Sequence, residues 1–350
     1  MKATQEWTAE ELIAELKRRE RSGKSASDLA RAGARSIGVT SRFRDMSELS
    51  SAELARMAQD RQRVVYGVDN RQDMYEVTSP TIKKVADAVA ALVKATSLTS
   101  NANGGWTLAT TSYKDEYQLC SSEAFASQPL GCFCSGFLVG ADVIATAGHC
   151  VKSPDDLAGM RFVFGFRMLN ATTATTAFGA DDVYEGKEII ARKLTQDQTD
   201  WALVRLTRKV VGRAPLPYRT TGQVGANQKL FVIGHPCGLP QKYAPGAVVR
   251  DNTPTSFFVA NLDTYGGNSG SPVFNNTNRK VEGILVRGEN DFVNNGSCFV
   301  SLVCPTTGCR GEDVTRASEW AGKVPKSTKR VKGSRATKRA KSAKRRKRSA

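Results

Sequence analysis

Gly266-Gly267-Asn268-Ser269-Gly270-Ser271-Pro272-Val273 decides the fold once it is set beside two stretches upstream, Thr146-Ala147-Gly148-His149-Cys150 and Thr199-Asp200-Trp201-Ala202-Leu203-Val204-Arg205-Leu206. In chain order the three offer an imidazole, a carboxylate and a hydroxyl. A serine hydroxyl is a poor nucleophile at neutral pH until an imidazole takes its proton, and the imidazole works best when a buried carboxylate fixes its tautomer. The order His, Asp, Ser excludes the nucleophile-elbow hydrolases, whose triad runs Ser, acid, His. Their Gly-x-Ser-x-Gly is missing as well, because Ser271 stands where the second glycine belongs.

These segments resemble the trypsin-like (chymotrypsin-fold) serine peptidases and, within them, the bacterial-type glutamyl endopeptidase branch. Ala147-Gly148-His149-Cys150 is similar to the family's base motif, Asp200 to Leu206 to its acid motif, and Gly267-Asn268-Ser269-Gly270-Ser271-Pro272 to its nucleophile motif. Val65-Tyr66-Gly67-Val68-Asp69-Asn70-Arg71 resembles the stretch that opens the domain in that branch, and the likeness runs from Val64 to Trp320. It implies an all-β fold of two antiparallel β-barrels, with His149 and Asp200 from the first barrel and Ser269 from the second meeting in the cleft between them. It also implies an endopeptidase acting on protein or peptide through an acyl-enzyme on Ser269. His149 would be the general base, Asp200 the orienter, and the amides of Gly267 and Ser269 the oxyanion hole. Asp197 competes with Asp200 for the acid's role. The apolar run after Asp200 reads as a buried strand, and an acid at its entrance is placed for desolvation beside the histidine, which favours Asp200. His235, in Gly234-His235-Pro236, falls in a structural turn of the family.

Specificity reads in two directions. Asp263, six residues before Ser269, matches the position where trypsin-like enzymes hold the acid that selects Lys or Arg, while Thr264 matches a pocket residue of the glutamyl branch. That branch also carries a histidine on the strand after the nucleophile, where Gly283-Ile284-Leu285-Val286-Arg287-Gly288 has Leu285. A basic preference follows, in a pocket of Asp263, Thr264, Leu285, Arg287 and Gly288, unless Asp263 pairs with Arg287 and closes the floor. Asn268 replaces the aspartate that receives the new amino terminus in the digestive peptidases, so activation by that ion pair is not expected.

Eight cysteines lie between Cys120 and Cys309. The resemblance implies a bridge between Cys134 and Cys150. Cys120, Cys132, Cys237, Cys298, Cys304 and Cys309 then leave fifteen full pairings open. The late cysteines lack a Cys-x-x-Cys knuckle, and no metal or cofactor is expected.

Charge divides the chain. The net +17 is concentrated between Lys323 and Ala350, where 14 Lys or Arg stand with no acid, leaving 37 basic against 34 acidic residues elsewhere. A one-signed segment with few apolar residues is expected to be disordered and to bind nucleic acid or another polyanion, or to serve as a targeting signal. Residues 1–63 read as a helical extension, with capping boxes at Thr8/Glu11 and Ser50/Glu53. The domain plan is therefore 1–63, 64–322 and 323–350. The longest apolar candidate, Val85 to Leu98, is interrupted by Asp87 and Lys94, so no membrane partner is expected. The polar N-terminus lacks a secretory apolar stretch, whereas disulfides imply an oxidising setting. From Gly104 onward, short apolar runs between turn residues read as strands: 137–139, 161–166, 201–206, 230–233, 247–250, 257–260 and 281–286.

Overall fold

The computed structural model describes residues 65–102, 104–195, 199–288 and 292–325. The extension expected over 1–63, the tail beyond residue 325 and the competing acid Asp197 lie outside the described residues.

The first barrel is built from β1 (Val89–Lys94), β2 (Cys134–Gly140), β3 (Val143–Thr146), β4 (Met160–Phe164), β5 (Val183–Leu194) and β6 (Asp200–Leu206). They close in the order β4-β5-β6-β3-β2-β1, every neighbouring pair antiparallel. The second comprises β7 (Lys229–Gly234), β8 (Lys242–Asp251), β9 (Phe257–Ala260), β10 (Pro272–Asn275), β11 (Val281–Arg287) and β12 (Glu312–Arg316). Its order is β7-β10-β11-β12-β9-β8, closed by pairing of β8 with β7. Closure leaves neither barrel a long unpaired edge. Among the described residues no helix is long and apolar enough to cross a membrane.

Every apolar run picked out by sequence overlaps a strand, the run 161–166 passing two residues beyond the end of β4 at Phe164, but the first barrel begins earlier than the change of texture at Gly104. In β1, Val89 to Val93 are all buried. Ala90 and Leu92 join the main core, while Ala91 and Val93 pack in a second cluster with Leu108, Val163, Phe166 and Phe178. A strand covered on both faces shows no alternation, so its period is invisible in sequence.

The main core does not stop at the barrel boundary. It runs from Phe137, Ile144 and Leu203 of the first barrel to Phe231, Ile233, Phe274 and Ile284 of the second. Trp320, fully buried after β12, sets its ring edge-on to Phe137 at 5.9 Å and thus ties the chain's end to the first barrel. Val324 packs against the same core, so folded packing continues past residue 322.

A strap precedes the barrels. Val65–Tyr66 pairs in parallel with Val303–Cys304, and Gln72–Asp73 adds to the edge of β8 at Lys242 and Tyr243. Lys242 is buried on Asp73 and Gln128, a cation and a carboxylate sequestered together.

Candidate active site

β3 ends at Thr146, and the turn that follows delivers His149 to the mouth of β6. Asp200, the first residue of β6, is 1% exposed. Its two carboxylate oxygens hold the histidine at two points: Oδ2 lies 2.6 Å from Nδ1, and Oδ1 accepts from the His149 backbone amide at 3.1 Å. A carboxylate on Nδ1 favours the tautomer that leaves Nε2 as the proton acceptor. Burial opposes ionisation of Asp200, but the charge and hydrogen bonds of His149, with Arg287 further off, outweigh it and hold the carboxyl below the usual range.

The turn that bears Ser269 is fixed by backbone rather than by charge. Gly267 has φ +77°, and a Cβ there would lie 2.7 Å from both the Gly238 amide nitrogen and the His235 carbonyl oxygen, so only glycine fits. The Gly266 carbonyl accepts from Cys237, and the Gly270 and Ser271 amides donate to Leu285 and Asn268. Asn268 is buried, and its Oδ1 accepts from the Ser271 hydroxyl at 3.2 Å, an internal use of the residue that departs from the digestive pattern.

Ser135, buried on β2, pins this turn to the first barrel. Its amide donates to the Ser269 carbonyl at 2.8 Å, and its hydroxyl donates to the Gly267 carbonyl at 3.2 Å while accepting from the His235 amide at 3.0 Å. From the histidine's side, Cys150 Sγ lies 3.7 Å from the Ser269 carbonyl oxygen. His149, Asp200 and Ser269 are thus drawn to one seam between the barrels. Ser135 was missed in sequence; the signal was a lone hydroxyl in an apolar strand directly after Cys134.

The residues expected to line the pocket do not stay together. Thr264 and Gly288 face one another across Glu312, the fully buried first residue of β12: the Thr264 hydroxyl donates to Glu312 Oε2 at 3.1 Å, and a Cβ at Gly288 would collide with the carboxylate. Leu285, by contrast, sits in the second barrel's interior with Leu230, Val249, Phe258 and Val314. Arg287 pairs with Asp313 at 3.2 Å and not with Asp263, so the closing of the floor by an Asp263–Arg287 pair does not occur. Asp263 accepts the Tyr66 amide at 2.7 Å and a backbone hydrogen bond from Asn70. Burial raises its carboxyl to about 6 against those bonds. Sequence reasoning missed Glu312, which no motif marks.

His235 stacks on Phe166 at 5.9 Å, and its Nδ1 lies 3.0 Å from the Leu239 carbonyl; burial lowers its pKa to about 4, so it is neutral near pH 7. Disulfides join Cys134 to Cys150, Cys120 to Cys298 and Cys304 to Cys309, while Cys132 and Cys237 are thiols. These bridges are consistent with an oxidising setting. Cys134, Cys150 and His149 form a cluster with metal-ligand atoms in reach of one another, but the two sulfurs are bonded together and offer no thiolate.

Residues 134–284 match the trypsin-like peptidase domain, and the two six-stranded antiparallel barrels have the architecture of the chymotrypsin fold. A curated relative, secreted RxLR effector protein 73 of Plasmopara viticola, is 26% identical over 209 residues, which are 55% of this chain and 47% of that protein. The chain thus spans about half the length of the curated relative it matches. Among solved structures, a Glu endopeptidase is 16% identical, with 75% of this chain and 97% of that one covered and a TM-score of 0.42. The VesB protease of Vibrio cholerae is 17% identical, with 74% and 66% covered and a TM-score of 0.43.

Proposed function

We propose that the chain is a serine endopeptidase. The observation that carries this reading is the two-point grip of buried Asp200 on His149, beside a glycine-shaped turn bearing Ser269. Ser269 Oγ attacks the carbonyl carbon of the scissile bond while His149 Nε2 takes its proton. The amides of Gly267 and Ser269 receive the charge that develops on the carbonyl oxygen, each such donor being worth about 3 kcal/mol. His149 then returns the proton to the departing amine, and water, deprotonated by the same imidazole, releases the acyl group from Ser269.

The residue on the acyl side of the cleaved bond is Lys or Arg. Glu312, between Thr264 and Gly288, supports this, and Asp263 is a further buried carboxylate of the same expected pocket. Fluorophosphonate labelling of the full chain tests the chemistry: a single adduct at Ser269, lost in Ser269→Ala, is the expected result. Full peptidase activity in Ser269→Ala would end the reading.

A second reading concerns 323–350, where 14 basic residues and no acid favour polyanion binding. Each phosphate neutralised on duplex DNA steepens the fall of log affinity with log salt by about 0.9. Full-length and truncated chains are titrated against duplex DNA at two salt concentrations; equal binding by both would refute a role for this segment.

A further inference from the structure

The strap ahead of the barrels converges on the segment that leads into the nucleophile turn. At one end of that segment, Asp263 receives the amides of Tyr66 and Asn70. Two residues on, Tyr265 is 1% exposed and lies beneath the Arg71 guanidinium, whose central carbon is 3.9 Å from the ring centroid. Arg71 Nη2 donates to the Tyr265 hydroxyl at 3.1 Å. The same side chain forks onto Asp69, with Nε on Oδ1 at 2.8 Å and Nη2 on Oδ2 at 2.6 Å. The tyrosine hydroxyl continues to Ser301, and Ser301 to Glu123. Tyr265 is therefore held on its face and at its tip, and its backbone carbonyl accepts from the Asn268 amide, inside the turn itself, at 3.1 Å.

We propose that Arg71 is a positioning residue for the peptidase centre, clamping Tyr265 so that the Gly266–Ser269 turn keeps its two amides aimed at the oxyanion. Asn268 spends its side chain inside the turn and cannot anchor it to a cation by charge, whereas Arg71 supplies an anchor one residue before Gly266. The anchor belongs to the continuous chain, so it orders the turn with no cleavage to liberate an amino terminus. Arginine suits the task because its planar fork grips a carboxylate and lies flat on a ring at once, which an ammonium cannot do.

The proposal rests on Ser269 being the nucleophile, and the test separates the two. Fluorophosphonate acylation rates, kcat and KM on a peptide substrate, and Tm are measured for wild type, Arg71→Ala, Arg71→Lys and Val163→Ala, the last a destabilising control in the first barrel's wall. Misaimed oxyanion donors lower kcat and acylation together with little effect on substrate affinity. Arg71→Ala is expected to lose roughly 30-fold to 100-fold in both rates with KM changed less than about 3-fold, and Arg71→Lys to recover part of the loss. Val163→Ala is expected to lose Tm and keep its turnover. If wild type does not react at Ser269, the peptidase reading fails and the clamp with it. If wild type reacts and Arg71→Ala acylates at the same rate, or its loss is matched by Val163→Ala once both are compared well below their Tm, the clamp alone is overturned.

Discussion

The two barrels contribute to the seam by different physical means. On the first barrel's side a buried carboxylate grips a histidine through its side chain and backbone, so the contribution is electrostatic and local to residues 149 and 200. On the second barrel's side the turn bearing Ser269 carries no charged residue from Gly266 to Ser271 and is held by backbone hydrogen bonds, by a glycine at φ +77° and by Ser135 reaching across from β2. Charge can be fixed by one neighbour, whereas a backbone shape needs contacts from many directions. The first side should therefore break at a single atom, and the second should soften by degrees.

Asp200→Asn breaks the first side. An amide in place of the carboxylate presents a donor to Nδ1, which turns the imidazole to the tautomer whose Nε2 already carries a proton. Turnover is expected to fall on the order of 10⁴-fold with the fold intact. Adding Ser269→Ala should cost roughly 10²-fold more, far less than the product of the two separate losses, since the members act as a unit. Steady-state kinetics with circular dichroism check this; a loss below about tenfold would show that the side-chain grip is not what activates Ser269.

Within the second barrel the comparison is sharpened by two of its acids. Glu312 sits between Thr264 and Gly288, while the Asp263 carboxylate receives backbone amides of the strap. Removing a buried charge that pairs with a substrate cation costs about 3 kcal/mol, or roughly 10² in kcat/KM. Glu312→Gln is expected to lose that preference for Lys or Arg over neutral residues, and Asp263→Asn to change it less than about threefold. Peptide-library cleavage profiles decide: a loss that tracks Asp263 reverses the assignment, and a wild-type profile dominated by Glu removes the basic pocket altogether.

The same contrast explains what the sequence disclosed. Local chemistry was legible: the contact between His149 and Asp200 was expected from two short motifs, and the Cys134–Cys150 bridge from the family they resemble. Bounded apolar runs gave β2, β4, β6, β7, β8, β9 and β11, whereas β3, β5, β10 and β12 were not picked out, and β1 is buried on both faces and shows no period. Long-range contacts were silent. Ser135 meets Gly267 across 132 residues, Thr264 meets Glu312 across 48, and Tyr66 meets Asp263 across 197, so no window of sequence contains both partners. Asp263 illustrates the consequence, because its offset from Ser269 suggested a pocket acid while its oxygens are occupied by the strap.

The smallest expected effect compares the turn's two buried titrating neighbours, His235 and Asp263, through stability against pH. The His235 pKa is lowered from 6.5 to about 4 by burial, so between those values the unfolded chain holds a proton that the folded one lacks. Stability is then full above pH 6.5 and falls as pH drops, by about 1.4 kcal/mol per pH unit, or about 2 kcal/mol from pH 7 to 5. Asp263 has the opposite sign. Its pKa is raised from 3.8 to about 6, so the folded state holds the extra proton, and its contribution is full below pH 3.8 and lost as pH rises through 6. From pH 7 to 5 that recovers about 1 kcal/mol, offsetting much of the histidine's loss. Replacing His235 by phenylalanine, which preserves the stack on Phe166, should leave the protein about 2 kcal/mol better off relative to wild type at pH 5 than at pH 7. Asp263→Asn should do the reverse and steepen the acid loss. Urea unfolding at the two pH values measures both, and a His235→Phe difference that does not move with pH would mean that the ring is not held neutral beside the turn that bears Ser269.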